Sequence, residues 1–277
     1  TNLKLEKRGM PFSGFYKDAE GNYVATNDAG IEALMDLNEE DINVKLNSNV
    51  SLDVTAWADN AVGGESTKTI VIDLQGNTLT LKQKNSDWNN IAAQEGVKMT
   101  IKNGHITNSG YNNGPWNRHN LNFACDITLE NITTDKAIAL KNGGTLKNVT
   151  INDKNDSDTY ALWIQPKGQT ITLEDCVIDM LECTDGRGIK IDNQYLSTGE
   201  EKSVTLNISN TVFRTEEKSA VIVKTTCGAV INWSEGNDIS EVAEDDFYAV
   251  WVDDASKNYS DLVKVSGCCK KVEGEEF

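Results

Sequence analysis

Met99-Thr100-Ile101-Lys102-Asn103, Ile127-Thr128-Leu129-Glu130-Asn131 and Ile171-Thr172-Leu173-Glu174-Asp175 are nearly interchangeable, and Thr145-Leu146-Lys147-Asn148 is a shortened fourth copy. Each segment alternates apolar and polar residues, the two-residue period of a strand with one buried face. Each ends on Asn or Asp, which tolerate the left-handed backbone conformation better than other residues with a side chain. Looser copies end at Asn77, Asn210 and Asn237, and the steps along the series are 26, 28, 17, 27, 35 and 27 residues.

A second strand recurs between these copies: Ala137-Ile138-Ala139-Leu140-Lys141, Ala161-Leu162-Trp163-Ile164-Gln165, Gly188-Ile189-Lys190-Ile191-Asp192, Ala220-Val221-Ile222-Val223-Lys224 and Ala249-Val250-Trp251-Val252-Asp253. Asn90-Ile91-Ala92-Ala93-Gln94 and Asn120-Leu121-Asn122-Phe123-Ala124 are weaker members. Alternation points Ile138/Leu140, Leu162/Ile164, Ile189/Ile191, Val221/Val223 and Val250/Val252 inward and the residues between them outward. Strands of one phase recurring at roughly 27 residues predict a solenoid, each turn stacked about 4.8 Å from the last. Like then stacks on like, with aliphatics inside and Asn at the bends.

The pattern resembles the right-handed parallel β-helix of the pectate lyase-like superfamily over residues 44–266. The expected fold is an all-β, right-handed parallel β-helix of about 7–9 rungs. Residues 1–43 would form an N-terminal segment with a capping α-helix, and residues 44–277 the β-helix with a C-terminal tail. Asn27 as N-cap, Asp28 in the first turn, and Ile31, Leu34, Met35 and Leu37 at helical spacing place that cap within residues 27–40. Phe12, Phe15, Tyr16 and Tyr23 are expected on the first rungs. The polar tail from Gly267 is expected to be loose.

Composition supports this reading. The 30 Asn among 277 residues suit an asparagine ladder at the bends, and only 3 Pro suit uninterrupted parallel pairing. A net charge of −17, with four Arg in the chain, lacks the basic patch that nucleic-acid binding needs and opposes contact with anionic membranes. No apolar run is long enough for a transmembrane helix, so no membrane insertion is expected. Six Cys without zinc spacing predict small buried thiols rather than a disulfide framework. The chain opens at Thr1 without Met, which suggests a processed or trimmed N-terminus. The helix-then-strand opening resembles the start of many bacterial extracellular β-helix proteins, and that resemblance implies an extracellular or cell-surface location. A monomer is expected.

The outward positions of the second strand form two columns. One runs Ala92, Asn122, Ala139, Trp163, Lys190, Ile222, Trp251; the other runs Gln94, Ala124, Lys141, Gln165, Asp192, Lys224, Asp253. Trp163 and Trp251, flanked by Gln165, Lys224 and Asp253, suggest a carbohydrate platform, because aromatic faces stack on apolar pyranose faces. Lys190 and Asp192, with Arg187, are the acid–base candidates. Asp185, Arg187, Lys190, Asp192 and Lys224 could cluster, though a solvated ion-pair set needs no catalytic role. Loops 108–120 and 193–203 interrupt the period and could shape or cover this face.

Family catalytic signatures are incomplete. Trp251-Val252-Asp253-Asp254 is similar to the Trp-Ile-Asp-His segment of some pectate lyases, with Asp254 where His is needed. Thr184-Asp185-Gly186 resembles the Asn-Thr-Asp of polygalacturonases without that family's Gly-His-Gly element and paired Asp. Calcium is possible at Asn152–Asp158, which lacks the turn Gly and final Glu of an EF-hand loop. His105 and His119 do not suggest a transition-metal site, and no cofactor or metal is assigned. The leading expectation is a non-catalytic module binding a carbohydrate or other surface ligand. A polysaccharide lyase or glycoside hydrolase, and the structural stalk of a larger adhesin, are the alternatives.

Overall fold

A computed structural model describes residues 14–53, 68–83, 96–110, 121–154, 160–193, 199, 201–216, 219–242, 248–253 and 259–273. Among them strands dominate. The pairing of Phe15–Lys17 with Tyr23–Ala25 is antiparallel, and the other strand pairings are parallel. This mostly parallel, all-β arrangement is compatible with a β-helix.

Three ladders organise the strands. The first begins Asp41–Leu46 and Thr69–Asp73, continues through residues 98–102, 126–130 and 144–147, and ends Thr170–Glu174, Val204–Ser209, Ala229–Trp233 and Val263–Ser266. The second begins Val50–Asp53 and Thr78–Gln83 and ends Val177–Asp179, Val212–Thr215 and Asp238–Val242. Lys98–Gly110, Asp126–Thr134 and Gly144–Asn152 run from the first ladder into the second. The third ladder, a separate seven-stranded sheet, is Leu121–Phe123, Ile138–Leu140, Tyr160–Ile164, Arg187–Asp192, Ser219–Lys224, Tyr248–Val252 and Lys270–Val272.

The bend between the first two ladders is where Asn was expected. Asn103, Asn131 and Asn148 have φ of 61°, 53° and 50°, and Asp175 and Asn210 occupy the same corner at 55° and 47°. Their amides chain along the stack. Asn148 Nδ2 donates to Asn131 Oδ1 at 2.8 Å, Asn131 Nδ2 to Asn103 Oδ1 at 3.0 Å, and Asn103 Nδ2 to Asp73 Oδ1 at 3.1 Å.

Asn77 and Asn237 depart from this pattern. The left-handed residues near them are Gln75 and Gly76 (φ 49° and 82°) and Gly236 (φ 88°). The shared turn Gln/Glu-Gly-Asn puts the bend before the Asn, whose amide then braces it. Asn77 Nδ2 donates to the Leu46 and Leu74 carbonyls, and Asn237 Nδ2 to those of Ile208 and Ser234.

The inward aliphatics form one continuous core. Leu162, Ile164, Ile189, Ile191, Val221, Val223 and Val250 are fully buried, and each contributes about 1.5–3 kcal/mol on burial. Ala137, Ala161, Gly188, Ala220 and Ala249, one residue earlier in each repeat, are buried too. In each of these five repeats two inward residues thus stand in succession. Small side chains are needed there: a Cβ on Gly188 would collide with the Ala220 carbonyl.

The single α-helix among the described residues is Asp28–Met35, shorter than the expected span. Asn27 caps it through Oδ1, which accepts from Gly30 N at 2.9 Å, and Ile31, Leu34 and Met35 are buried. At its far end buried Lys68 donates from Nζ to the carbonyls of Met35 (3.2 Å) and Leu37 (2.8 Å), offsetting the carbonyl-rich terminus. Phe15 and Tyr23 meet edge to face at 5.9 Å against the core, whereas Tyr16 is exposed; Phe12 lies outside the described residues.

The far end corrects the expectation of a loose tail. Lys270–Val272 pairs in parallel with Tyr248–Val252, placing Lys271 beside Trp251 and burying Val272. The weak strand 90–94 lies outside the described residues, so the third ladder's seventh described member is this C-terminal one.

Candidate functional site on the third ladder

Register places the outward column as anticipated. Asn122, Ala139, Trp163, Lys190, Ile222 and Trp251 are successive partners, and Lys271 extends the row. Ala92 and Gln94 lie outside the described residues. Trp163 and Trp251 are half-buried, and the indole nitrogen of Trp163 is shielded from solvent.

Two residues that alternation did not point to complete the face. Because Ala161 and Ala249 turn inward, Tyr160 and Tyr248 come out on the same side as the tryptophans three residues later. Tyr248 and Trp251 meet edge to face at 5.9 Å. A lysine from the next strand serves each pair. Lys190 Nζ lies 4.8 Å from the Tyr160 ring and 5.4 Å from the Trp163 ring; Lys271 Nζ lies 4.4 Å from Tyr248 and 5.8 Å from Trp251. These are cation–π distances. Lys271 also donates to the Tyr248 hydroxyl at 2.6 Å. The sequence signal was available: Tyr160-Ala161-Leu162-Trp163-Ile164 and Tyr248-Ala249-Val250-Trp251-Val252 are the same motif.

The predicted five-residue charge cluster resolves into pairs. Lys190 Nζ and Asp192 Oδ2 are 2.8 Å apart, with Asp192 buried. Asp192 was expected on the outer surface; it holds its column position but is covered. Removing one partner of such a buried pair costs about 3–5 kcal/mol. Arg187 donates from Nη1 to the Tyr160 hydroxyl at 3.0 Å, its guanidinium 5.2 Å from that ring. Lys224 faces Asp192 in the ladder and its Nζ lies 3.5 Å from Asp253 Oδ2. Asp185 sits in a turn with φ 53° instead. Gln165 follows Ile164 and is half-buried, its backbone N–H donating to the Leu140 carbonyl at 3.0 Å.

Asp253 has a second acidic neighbour. The Glu273 carboxyl is pushed above the ordinary carboxylate range, first by its hydrogen bond with Asp253 and then by that group's charge. The polar column therefore carries an ion pair at Lys190–Asp192, a second at Lys224–Asp253, and a carboxyl pair at Asp253–Glu273. Lys190 and Asp192 neutralise each other's charge, and each is engaged by the other in this arrangement.

The other candidates are dispersed. Among the described residues no group of three or more His, Cys, Asp or Glu could hold a metal ion. Most of the Asn152–Asp158 loop lies outside them; Asp153 is buried and accepts the Ala137 amide at 3.2 Å. Tyr111, Trp116, Arg118 and His119 of the 108–120 insertion also lie outside, as does Asp254. Among the described residues no helix is long and apolar enough to cross a membrane. No protein-family model, curated protein or solved structure matches the chain.

Proposed function

We propose that this chain is a right-handed parallel β-helix, capped by helix Asp28–Met35, that belongs to an exported or cell-surface protein and binds neutral glycan without turning it over. The observation that carries the reading is the aromatic face of the third ladder. There Tyr160, Trp163, Tyr248 and Trp251 stand on one regular sheet with Arg187, Lys190, Lys224 and Lys271 among them. Half-buried aromatic rings offer apolar stacking surface, and tyrosine hydroxyls with cationic N–H groups orient sugar hydroxyls. A charge of −17 would repel acidic polymers at long range, which favours a neutral ligand. The mutual neutralisation of Lys190 and Asp192 favours binding over acid–base turnover.

Glycan-array screening followed by calorimetric titration tests this. Binding is expected for the parent and loss for Trp163→Ala with Trp251→Ala. Unchanged binding by the double variant would refute the assignment. Release of new reducing ends, abolished by Lys190→Ala and Asp192→Ala, would instead establish the lyase or hydrolase reading at that pair.

A further inference from the structure

The two Tyr/Trp/Lys groups are related by a simple shift. Tyr160, Trp163 and Lys190 become Tyr248, Trp251 and Lys271 by moving three steps along the third ladder, with Ile222 as the outward residue between the two groups. Three ladder steps are about 14 Å. Chemistry and geometry repeat together. The aliphatic neighbours repeat (Leu162/Ile164, Val250/Val252), the small buried alanine repeats (Ala161, Ala249), and each ammonium lies within cation–π range of both rings. A ligand smaller than one group has no use for a second copy in the same orientation at a fixed spacing.

We infer that these groups are two equivalent subsites for one linear, neutral, β-linked polysaccharide lying across the strands, parallel to the direction in which they stack. This rests on the glycan-binding reading above. A parallel ladder in register presents its outward side chains in one row, and Ile222 supplies apolar surface in that row between Lys190 and Trp251. A β-linked chain with equatorial hydroxyls matches such a row, because its pyranose faces expose C–H groups along its whole length. The Lys190, Lys271 and Tyr hydroxyl donors flank the rings and address the hydroxyls at the chain's edges. Simultaneous engagement makes the second contact intramolecular, so affinity rises steeply once the ligand spans both groups.

A length series separates the possibilities. Cello-oligosaccharides and chito-oligosaccharides of two to eight residues are titrated calorimetrically into the intact chain, with oligogalacturonates of matched length as the acidic comparison. The expected result is weak binding of the shortest members at two per chain, then a change to one per chain with an affinity gain of roughly 10²-fold or more at the length that spans both groups. Trp163→Ala and Trp251→Ala should each abolish the step while leaving one short-ligand site. Two independent sites with no gain at any length would overturn the spanning inference and leave glycan binding standing, as would a single site insensitive to one of the two substitutions. Stronger, salt-sensitive binding of oligogalacturonates would overturn the neutral class. No binding by any series would overturn both this inference and the reading beneath it.

Discussion

Replacing Asn131 tests the corner that organises two of the three ladders. Its φ is 53°, its Nδ2 donates to Asn103 Oδ1 at 3.0 Å, and its Oδ1 accepts from Asn148 Nδ2 at 2.8 Å. Asn131→Ala removes both hydrogen bonds, worth about 0.5–1 kcal/mol each at an exposed site, and forces a Cβ-bearing residue without a compensating amide into the left-handed region at about 1–2 kcal/mol. The sum is about 2–4 kcal/mol. Asn131→Gly loses the same hydrogen bonds and adds roughly 0.5–1 kcal/mol of unfolded-chain entropy, but it carries no left-handed strain. Alanine should therefore be worse than glycine by up to about 1.5 kcal/mol, the reverse of their order in a helix interior. Urea denaturation followed by far-UV circular dichroism, with the slope checked between variants, measures the difference. Glycine less stable than alanine would refute the left-handed corner. Two substitutions that both match the parent would refute the amide ladder.

Ile191 is fully buried between Ile164 and Val223, so Ile191→Ala should cost about 2–5 kcal/mol and Ile191→Asp should unfold at least the middle strands; a parent-like melting temperature for the Asp variant would contradict the facing. Asp18 is held down to about 2 chiefly by its hydrogen bond with Lys45, whose own pKa is raised. Its stabilisation is full above the unfolded value near 3.8 and is lost as pH falls toward 2. Amide exchange at Tyr23–Ala25 should therefore accelerate over that window in the parent, and Lys45→Met should weaken the acid dependence, leaving the share held by the Glu20 and Asn22 hydrogen bonds. Burial pushes the thiols of Cys125 and Cys176 up to about 12 and 11, whereas Cys269 is exposed. A thiol reagent at neutral pH should label Cys269 rapidly and Cys125 and Cys176 only on unfolding; rapid labelling of Cys125 would contradict the core assignment.

The parallel stacking and the outward columns were legible because the two-residue period and the Asn corners recur often enough to set phase. Trp163, Lys190 and Trp251 share a row for that reason. Tyr160 and Tyr248 were missed because alternation was extended uniformly, whereas in their strands two consecutive inward residues separate the Tyr from the Trp. The signal was the small residue repeated at 137, 161, 188, 220 and 249, too small to fill an outward position usefully and well suited to a tight inner corner. Lys271 was missed because its strand has one buried apolar residue, Val272, and reads as a polar tail; pairing with an already formed strand supplies what local propensity lacks. The burial of Asp192 had no local signal, since period alone says which way a side chain points and not what covers it. Lys68 is similar: its partners are carbonyls more than thirty residues away at the end of the helix.

The most direct test of the stacked third ladder is a distance along its outward column. Asn122 and Lys271 stand six ladder steps apart. That separation is about 29 Å between backbones. Nitroxide labels at Asn122→Cys and Lys271→Cys, with Cys227, Cys268 and Cys269 replaced by Ser, report it by pulsed electron–electron resonance. A narrow distribution near 30 Å is predicted. A distance below about 20 Å, or a broad distribution, would contradict the continuous parallel ladder on which the aromatic face depends.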